Sequence, residues 1–279
     1  MEGQNPNQTR LRLRTPTTTP LAISFSWSRS CACSQMNIFL DLWGVLLDEK
    51  KMNKEYNKRA ASILASRFGG DPARWLDAYD MAWEDYQRRF RATDWDTESW
   101  SDVVGELDVR LITDTLDAVD VQPRPSDVLS FARNLESEVV SSVARCYPDV
   151  PGALRRLKEK GHEVHVATQA GEWNAIGALE GSGLLKEVKA IFSGSSQNAS
   201  KDRKRYWTRV LEKIDIPPDK CILVDDRLDY LEAAASIGIG AVLMDRNKKI
   251  GWRRPPQFVH SRMFTLTSLP PYVEKISRM

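Results

Sequence analysis

Apolar residues along this chain follow two regimes. Between Asp48 and Arg145 they recur at helical spacing; beyond Cys146 they gather in short runs separated by helical stretches. In the first regime, Met52, Tyr56, Ala60, Ile63, Leu64 and Phe68 form one stripe and predict a helix over 50–68. Gly69-Gly70 ends it. Asp71-Pro72 supplies an N-cap and a first-position proline for a second helix, with Trp75, Tyr79, Ala82, Tyr86 and Phe90 on one face. A third helix is expected from about Thr97, with Trp100, Val104, Leu107 and Leu111 inward. Ser126 is the expected cap of a fourth, with Val128, Ala132, Leu135 and Val139 inward. Four amphipathic helices with short joins make a small bundle. Four tryptophans fall in it (Trp75, Trp83, Trp95, Trp100); they either pack its interior or line a pocket against the rest of the chain.

The second regime alternates strands with helices. Strands are predicted at 38–40, before the bundle, and at 163–167, 189–193, 221–224 and 241–244, with a last short one near 264–267. Helices are predicted at 152–160, 173–180, 202–214 and 228–236. This order predicts an α/β fold, a parallel sheet with helices on both faces. The domains are then a core over 36–48 and 146–279 and an inserted helical domain over 49–145, with hinges near Leu47-Asp48 and Arg145-Cys146.

Charge changes the picture only at the N-terminus. The overall +2 comes from residues 1–35, where four arginines face one acid; the remaining 36 bases and 37 acids nearly cancel. Nothing in that balance calls for nucleic acid. Residues 1–35 are rich in Ser, Thr, Pro and Arg and poor in acids. They read as a disordered tail, an organelle transit peptide, or a non-native leader ahead of an initiator at Met36. Four cysteines without framework or zinc spacing suit a reducing, cytoplasmic setting. No run approaches the roughly 18 apolar residues of a membrane helix.

Three predicted strands end on polar groups: Asp41, Thr168, and Asp225-Asp226. Parallel strands present such ends at one sheet edge, where α/β proteins bind ligands. Adjacent carboxylates repel each other, so Asp225-Asp226 at a buried strand end points to a cation. Lys201 opens the helix between the last two; it belongs to the basic run 201–205, so Lys204 competes for its place. His162, His165 and His260 match no triad or metal spacing.

Together these residues resemble the haloacid dehalogenase-like hydrolase superfamily, over about residues 36–245. Asp41-Leu42-Trp43-Gly44-Val45-Leu46 is similar to the family's first motif, Asp-x-Asp-Gly-Thr/Val-Leu. Val166-Ala167-Thr168-Gln169 resembles the second, and Lys201, 24 residues before Asp225, the third. Val224-Asp225-Asp226 resembles the acidic motif, and 147–154 the family's entry into its second motif. The resemblance implies a Rossmann-like core, with the helical insertion in the position of the family's cap. It implies Asp41 as nucleophile on phosphorus, Mg²⁺ held by Asp41, Asp225, Asp226 and the backbone carbonyl of Trp43, and a phosphoryl group held by Thr168 and Lys201. Trp43 and Gln169 are expected beside a small phosphorylated substrate, in a monomer or homodimer.

The resemblance breaks at Trp43. The family's phosphatases carry there the aspartate that protonates the leaving group, and indole can neither give nor take that proton. Such help is worth about 10²–10⁴ in rate. The 2-haloacid dehalogenases carry an aromatic at this place, but lack paired metal carboxylates. Three functions therefore stand: a Mg²⁺-dependent phosphohydrolase, a dehalogenase-like hydrolase, or a catalytically impaired module that binds a phosphorylated ligand or protein.

Overall fold

The computed structural model describes residues 34–122, 124–248 and 256–278, all within one compact unit, Cys33–Met279. The expectations for the leader therefore lie outside the described residues except at 34 and 35. The described residues open with β1 (Asn37–Leu40) and pass directly to four helices: α1 (Glu49–Phe68), α2 (Pro72–Ala92), α3 (Trp100–Ala118) and α4 (Val128–Val143). They then run α5 (Val150–Glu159), β2 (Glu163–Ala167), α6 (Glu172–Gly181), β3 (Ala190–Phe192), α7 (Gly194–Gln197), α8 (Lys204–Ile214), β4 (Cys221–Asp225) and α9 (Leu228–Ala235). They end with β5 (Gly240–Met244), β6 (Val259–Met263) and α10 (Leu269–Ile276).

The six strands form one parallel sheet in the order β3-β2-β1-β4-β5-β6. Period-two alternation divides its side chains between two cores. Ile38, Leu40, Ile222 and Val224 join one, and Phe39, Cys221 and Leu223 the other. The first core continues without a break into the four-helix insertion, through Leu46, Leu47 and Met52. The second is closed by α8 and α9, with Tyr206, Trp207 and Leu231 buried in it.

Local chemistry sets the insertion's boundaries. Asp48, Asp71 and Ser99 each accept a bond from a first-turn amide of the helix that follows. The fourth helix is capped by Asp127, not Ser126, because Asp127 Oδ1 takes the Ser130 amide at 2.9 Å. The third begins at Trp100 rather than about Thr97; Thr97 instead folds back on Asp94. The last strand lies at 259–263 rather than near 264–267. Only its two ends, Val259 and Met263, are buried, and Phe264 is 42% exposed, so this edge strand shows little apolar alternation.

The two crossings into the insertion run side by side. Leu47 bridges Cys146, Asp48 N donates to Arg145 O at 2.8 Å, and Tyr147 N to Leu46 O at 3.0 Å. A second attachment joins α4 to α6. Gly177 rides so close to α4 that an added Cβ would lie 2.6 Å from Ser137 O. At a third, Asn198 Oδ1 accepts from Ser99 Oγ (3.0 Å) and Ser101 N (2.9 Å), and Arg205 Nη2 donates to Trp95 O at 2.7 Å.

Candidate active site

The register puts the chemistry at one edge. Leu40 pairs with both Val166 and Val224, so Asp41, Ala167 and Asp225 stand level on three adjacent strands. Into this row comes Lys201, 0% exposed. Its Nζ donates to Asp41 Oδ1 at 2.6 Å and to Ala167 O at 2.5 Å, and lies 2.6 Å from Asp225 Oδ2. A buried ammonium is stable only when its charge is met. Burial works against its proton, but Asp225 and Asp41 outweigh it and hold the group above the ordinary lysine range. Lys204 is exposed at the start of α8, so position 201 is the one that reaches the strand ends. Lys201 does not open that helix, as the sequence suggests; it precedes it, held by Gln169, whose Oε1 accepts from Lys201 N at 2.6 Å.

Asp41, Asp225 and Asp226 each offer a carboxylate oxygen, all within 4.8 Å of one another. Burial raises Asp41 and Asp225, with Lys201 lowering both and a neighbouring aspartate raising each. Burial, then Asp225 and Glu49, push Asp226 up to about 7. Ionised, the three carboxylates and Lys201 leave a formal −2 in this mostly buried space, the charge that one divalent cation cancels. A hard-oxygen donor set of this kind fits Mg²⁺.

The loop after Asp41 is shaped for this approach. Gly44 adopts φ +77°, where other residues are strained, and a Cβ on it would collide with Asp226 Oδ2. Leu46 N and Leu47 N both donate to Leu42 O, and Gly44 N to Leu47 O. Arg246 locks the loop from outside: its Nε and Nη2 donate to Val45 O at 3.0 and 2.6 Å, and its Nη1 to both oxygens of Asp149 at 3.0 Å. Asp149 lies in the 147–154 stretch, but nothing in the sequence pairs it with Arg246, and only the tertiary contact reveals the clamp.

Thr168 is buried at the end of β2, with its Oγ1 accepting from Ala170 N at 3.2 Å; its hydroxyl proton is free for a further acceptor. Trp43 is half-buried and lines a cavity of about 390 Å³ between the insertion and the sheet edge, with Gln169 on the same cavity. Asp226 lines an adjoining cavity of about 600 Å³, and Glu49 lines both. Sequence spacing did not signal Glu49, which directly follows the cap residue of α1. The three histidines serve the sheet: His162 Nδ1 accepts from Met36 N, His165 Nε2 meets Asn37 Oδ1 at 3.0 Å, and His260 Nδ1 accepts from Ala241 N. Of the predicted tryptophans, Trp75 and Trp95 are buried packing residues, whereas Trp83 and Trp100 line the cavity.

This fold matches known proteins. The chain belongs to the haloacid dehalogenase-like hydrolases, whose family profile matches residues 36–238. Among curated proteins it is 29% identical over 140 residues to "Phosphatase MT3486" of Mycobacterium tuberculosis, a match covering 46% of this chain and 64% of that protein. The chain thus spans under two thirds of that relative's length. Among solved structures, the putative HAD-hydrolase YfnB of Bacillus subtilis, bound to magnesium, superposes with a TM-score of 0.59 at 15% identity, over 86% of this chain and 99% of that one. The defluorinating L-2-haloacid dehalogenase Rha0230 gives 0.58 at 13% identity, over 86% and 95%. At such identities these two structures speak to fold alone.

Proposed function

We propose that this chain is a Mg²⁺-dependent phosphohydrolase acting on a small phosphorylated molecule, with Asp41 as nucleophile and the helical insertion as its cap. The observation that carries this reading is the buried Lys201 between Asp41 and Asp225, with Asp226 completing a carboxylate trio. Asp41, Asp225 and Asp226 would hold Mg²⁺, which when bound offsets the repulsion between a carboxylate and a phosphoryl dianion. Asp41 Oδ1, oriented by Lys201, attacks phosphorus; the P–O bond to the leaving group breaks and the electron pair goes to the leaving oxygen. Thr168 donates its free hydroxyl proton to a phosphoryl oxygen, and Lys201 neutralises charge on Asp41. Water then attacks the phosphorus of the aspartyl-phosphate; the P–O bond to Asp41 breaks with its electron pair going to the carboxylate, and the water's proton leaves on the released phosphate. Trp43 supplies no proton to the leaving oxygen and no base for that water. Leaving groups stable as anions are therefore favoured, and the second step is slow.

Asp41→Asn is expected to abolish phosphate release, and EDTA to do the same to the parent protein, in a phosphate-release assay on a generic aryl phosphate. Release that persists in both would sink this reading. Trp43 itself favours a second reading, in which Asp41 attacks carbon and a halide leaves without a proton. Halide release from 2-chloropropionate that is indifferent to EDTA would establish it; Asp225-Asp226 argues against it.

The carboxylate trio also predicts a pH signature. Its folded-state pKa values are raised, so in the metal-free protein these groups contribute stability that is present at low pH and lost as pH rises through about 7. Mg²⁺ binds their ionised forms. The metal-free melting temperature is therefore expected to fall between roughly pH 5 and pH 8, while the stabilisation by added Mg²⁺ grows over the same window. A Mg²⁺ effect of equal size at both ends, measured by thermal unfolding, would count against these ligands.

A further inference from the structure

The cavity behind Trp43 is built from aromatic rings. Along one wall, Tyr56, Trp83, Tyr86 and Phe90 form a near-parallel ladder, with centroid spacings of 6.1, 5.1 and 6.4 Å and interplanar angles of 27°, 20° and 8°. Trp100 and Trp173, 6.2 Å apart, line the same cavity from α3 and α6. Trp43, Trp83, Tyr86, Phe90 and Trp173 are each only half-buried, so large apolar faces are left for something other than each other. The volume of about 390 Å³ is that of a small-ligand site.

The charge of the lining is one-sided. Its only charged residues among those described are Glu49 and Glu136. Trp173 Nε1 and Asn174 Nδ2 donate to the two oxygens of Glu136, which orients it as an acceptor. Arg133 lies close by, but it stacks on Trp173 with its Cζ 4.1 Å from the ring centroid and pairs with Asp108 at 3.6 Å, and it does not line the cavity. A second phosphate or a carboxylate on the ligand would meet no counter-charge among the residues that line this cavity; Arg91 and Arg227 line an adjoining one, on the other side of the ring ladder's shared residues Trp83, Tyr86 and Phe90.

We propose that this cavity selects monophosphate esters of an aromatic alcohol that carries no second negative charge. The inference rests on the phosphohydrolase reading for its phosphoryl end. Two independent features converge on it. The walls suit a planar ring, which stacks on aromatic faces. A phenolic oxygen also leaves as a stabilised anion, which suits a site whose position 43 has no proton to give. An aliphatic alcohol has neither advantage, even with an ammonium group that the rings and Glu136 would welcome.

Binding of non-hydrolysable phosphonates to the full chain with Mg²⁺, measured by titration calorimetry, tests this apart from turnover. Phenylphosphonate is expected to bind at least tenfold tighter than propylphosphonate and 2-aminoethylphosphonate, and 4-carboxyphenylphosphonate at least tenfold weaker than phenylphosphonate. Trp83→Leu and Phe90→Leu, which keep an apolar side chain, should each shrink the phenyl-over-propyl preference several-fold. The inference is overturned by equal binding of phenyl and propyl, by 2-aminoethylphosphonate binding as tightly as phenyl, by full tolerance of the 4-carboxylate, or by a preference that survives both substitutions. No phosphate release from phenyl phosphate, with the binding order intact, would overturn the phosphohydrolase reading and leave the pocket's selectivity standing.

Discussion

Trp43→Asp is expected to raise kcat on a simple alkyl phosphate by about 10²–10⁴, the worth of one general acid–base group. The surrounding geometry allows the exchange. Trp43 is half-buried against a cavity, so the smaller side chain meets no clash. The loop's shape is set by backbone bonds and by the Arg246 grip on Val45 O, neither of which involves the indole. An aspartate there can protonate the leaving oxygen and then deprotonate the attacking water. The parent protein should accordingly show a burst of alcohol from an aryl phosphate followed by slow turnover, and the variant should lose the burst. Rapid-quench kinetics reads both. An unchanged rate in a folded Trp43→Asp protein would show that more than the acid is missing and would count against phosphoryl chemistry.

Lys201→Met is expected to remove most activity and about 3–5 kcal/mol of stability, the cost of stripping one partner from a buried ion pair. Lys201 is fully enclosed, and its Nζ meets Asp41 and Asp225, both buried. Methionine preserves the apolar stem, so the loss reports on charge rather than on volume. Two carboxylates then face each other without an ammonium, and Mg²⁺ should recover part of the loss. Urea denaturation with and without Mg²⁺ measures both quantities. A loss under about 1 kcal/mol, within the range of an exposed ion pair, would mean that the pairing is incidental.

Much of this site was legible in the sequence because parallel strands deliver their last residues to a shared edge. Asp41, Thr168 and Asp225-Asp226 each close an apolar run, and once the runs are strands their meeting follows from the topology. Lys201 was harder. It sits in a basic run in which Lys204 has the same side chain; its spacing to Asp225 favours Lys201, and burial separates the two. Gln169 was expected beside substrate; it does line the cavity, but its Oε1 also holds the Lys201 backbone. Apolar patterning points past the edge strand β6, because one face of it meets solvent and its pattern is broken by polar residues.

The sequence by itself determined the α/β class, the four-helix insertion after β1 and the chemistry available at the sheet edge, since periodicity and strand-end residue types are local properties. Tertiary structure alone decided three things. It enclosed Lys201, which spacing only favours, and left Lys204 exposed, because which ammonium is buried depends on where the chain lies 160 residues away from Asp41. It built the Arg246–Asp149 clamp behind the loop from two residues that no spacing connects. It also gathered rings from α1, α2, α3 and α6 around Trp43, turning a residue that the sequence marks as a missing acid beside the substrate into one wall of an aromatic cavity. Helical periodicity says which face of each helix is apolar; only packing says which of those faces is left partly uncovered.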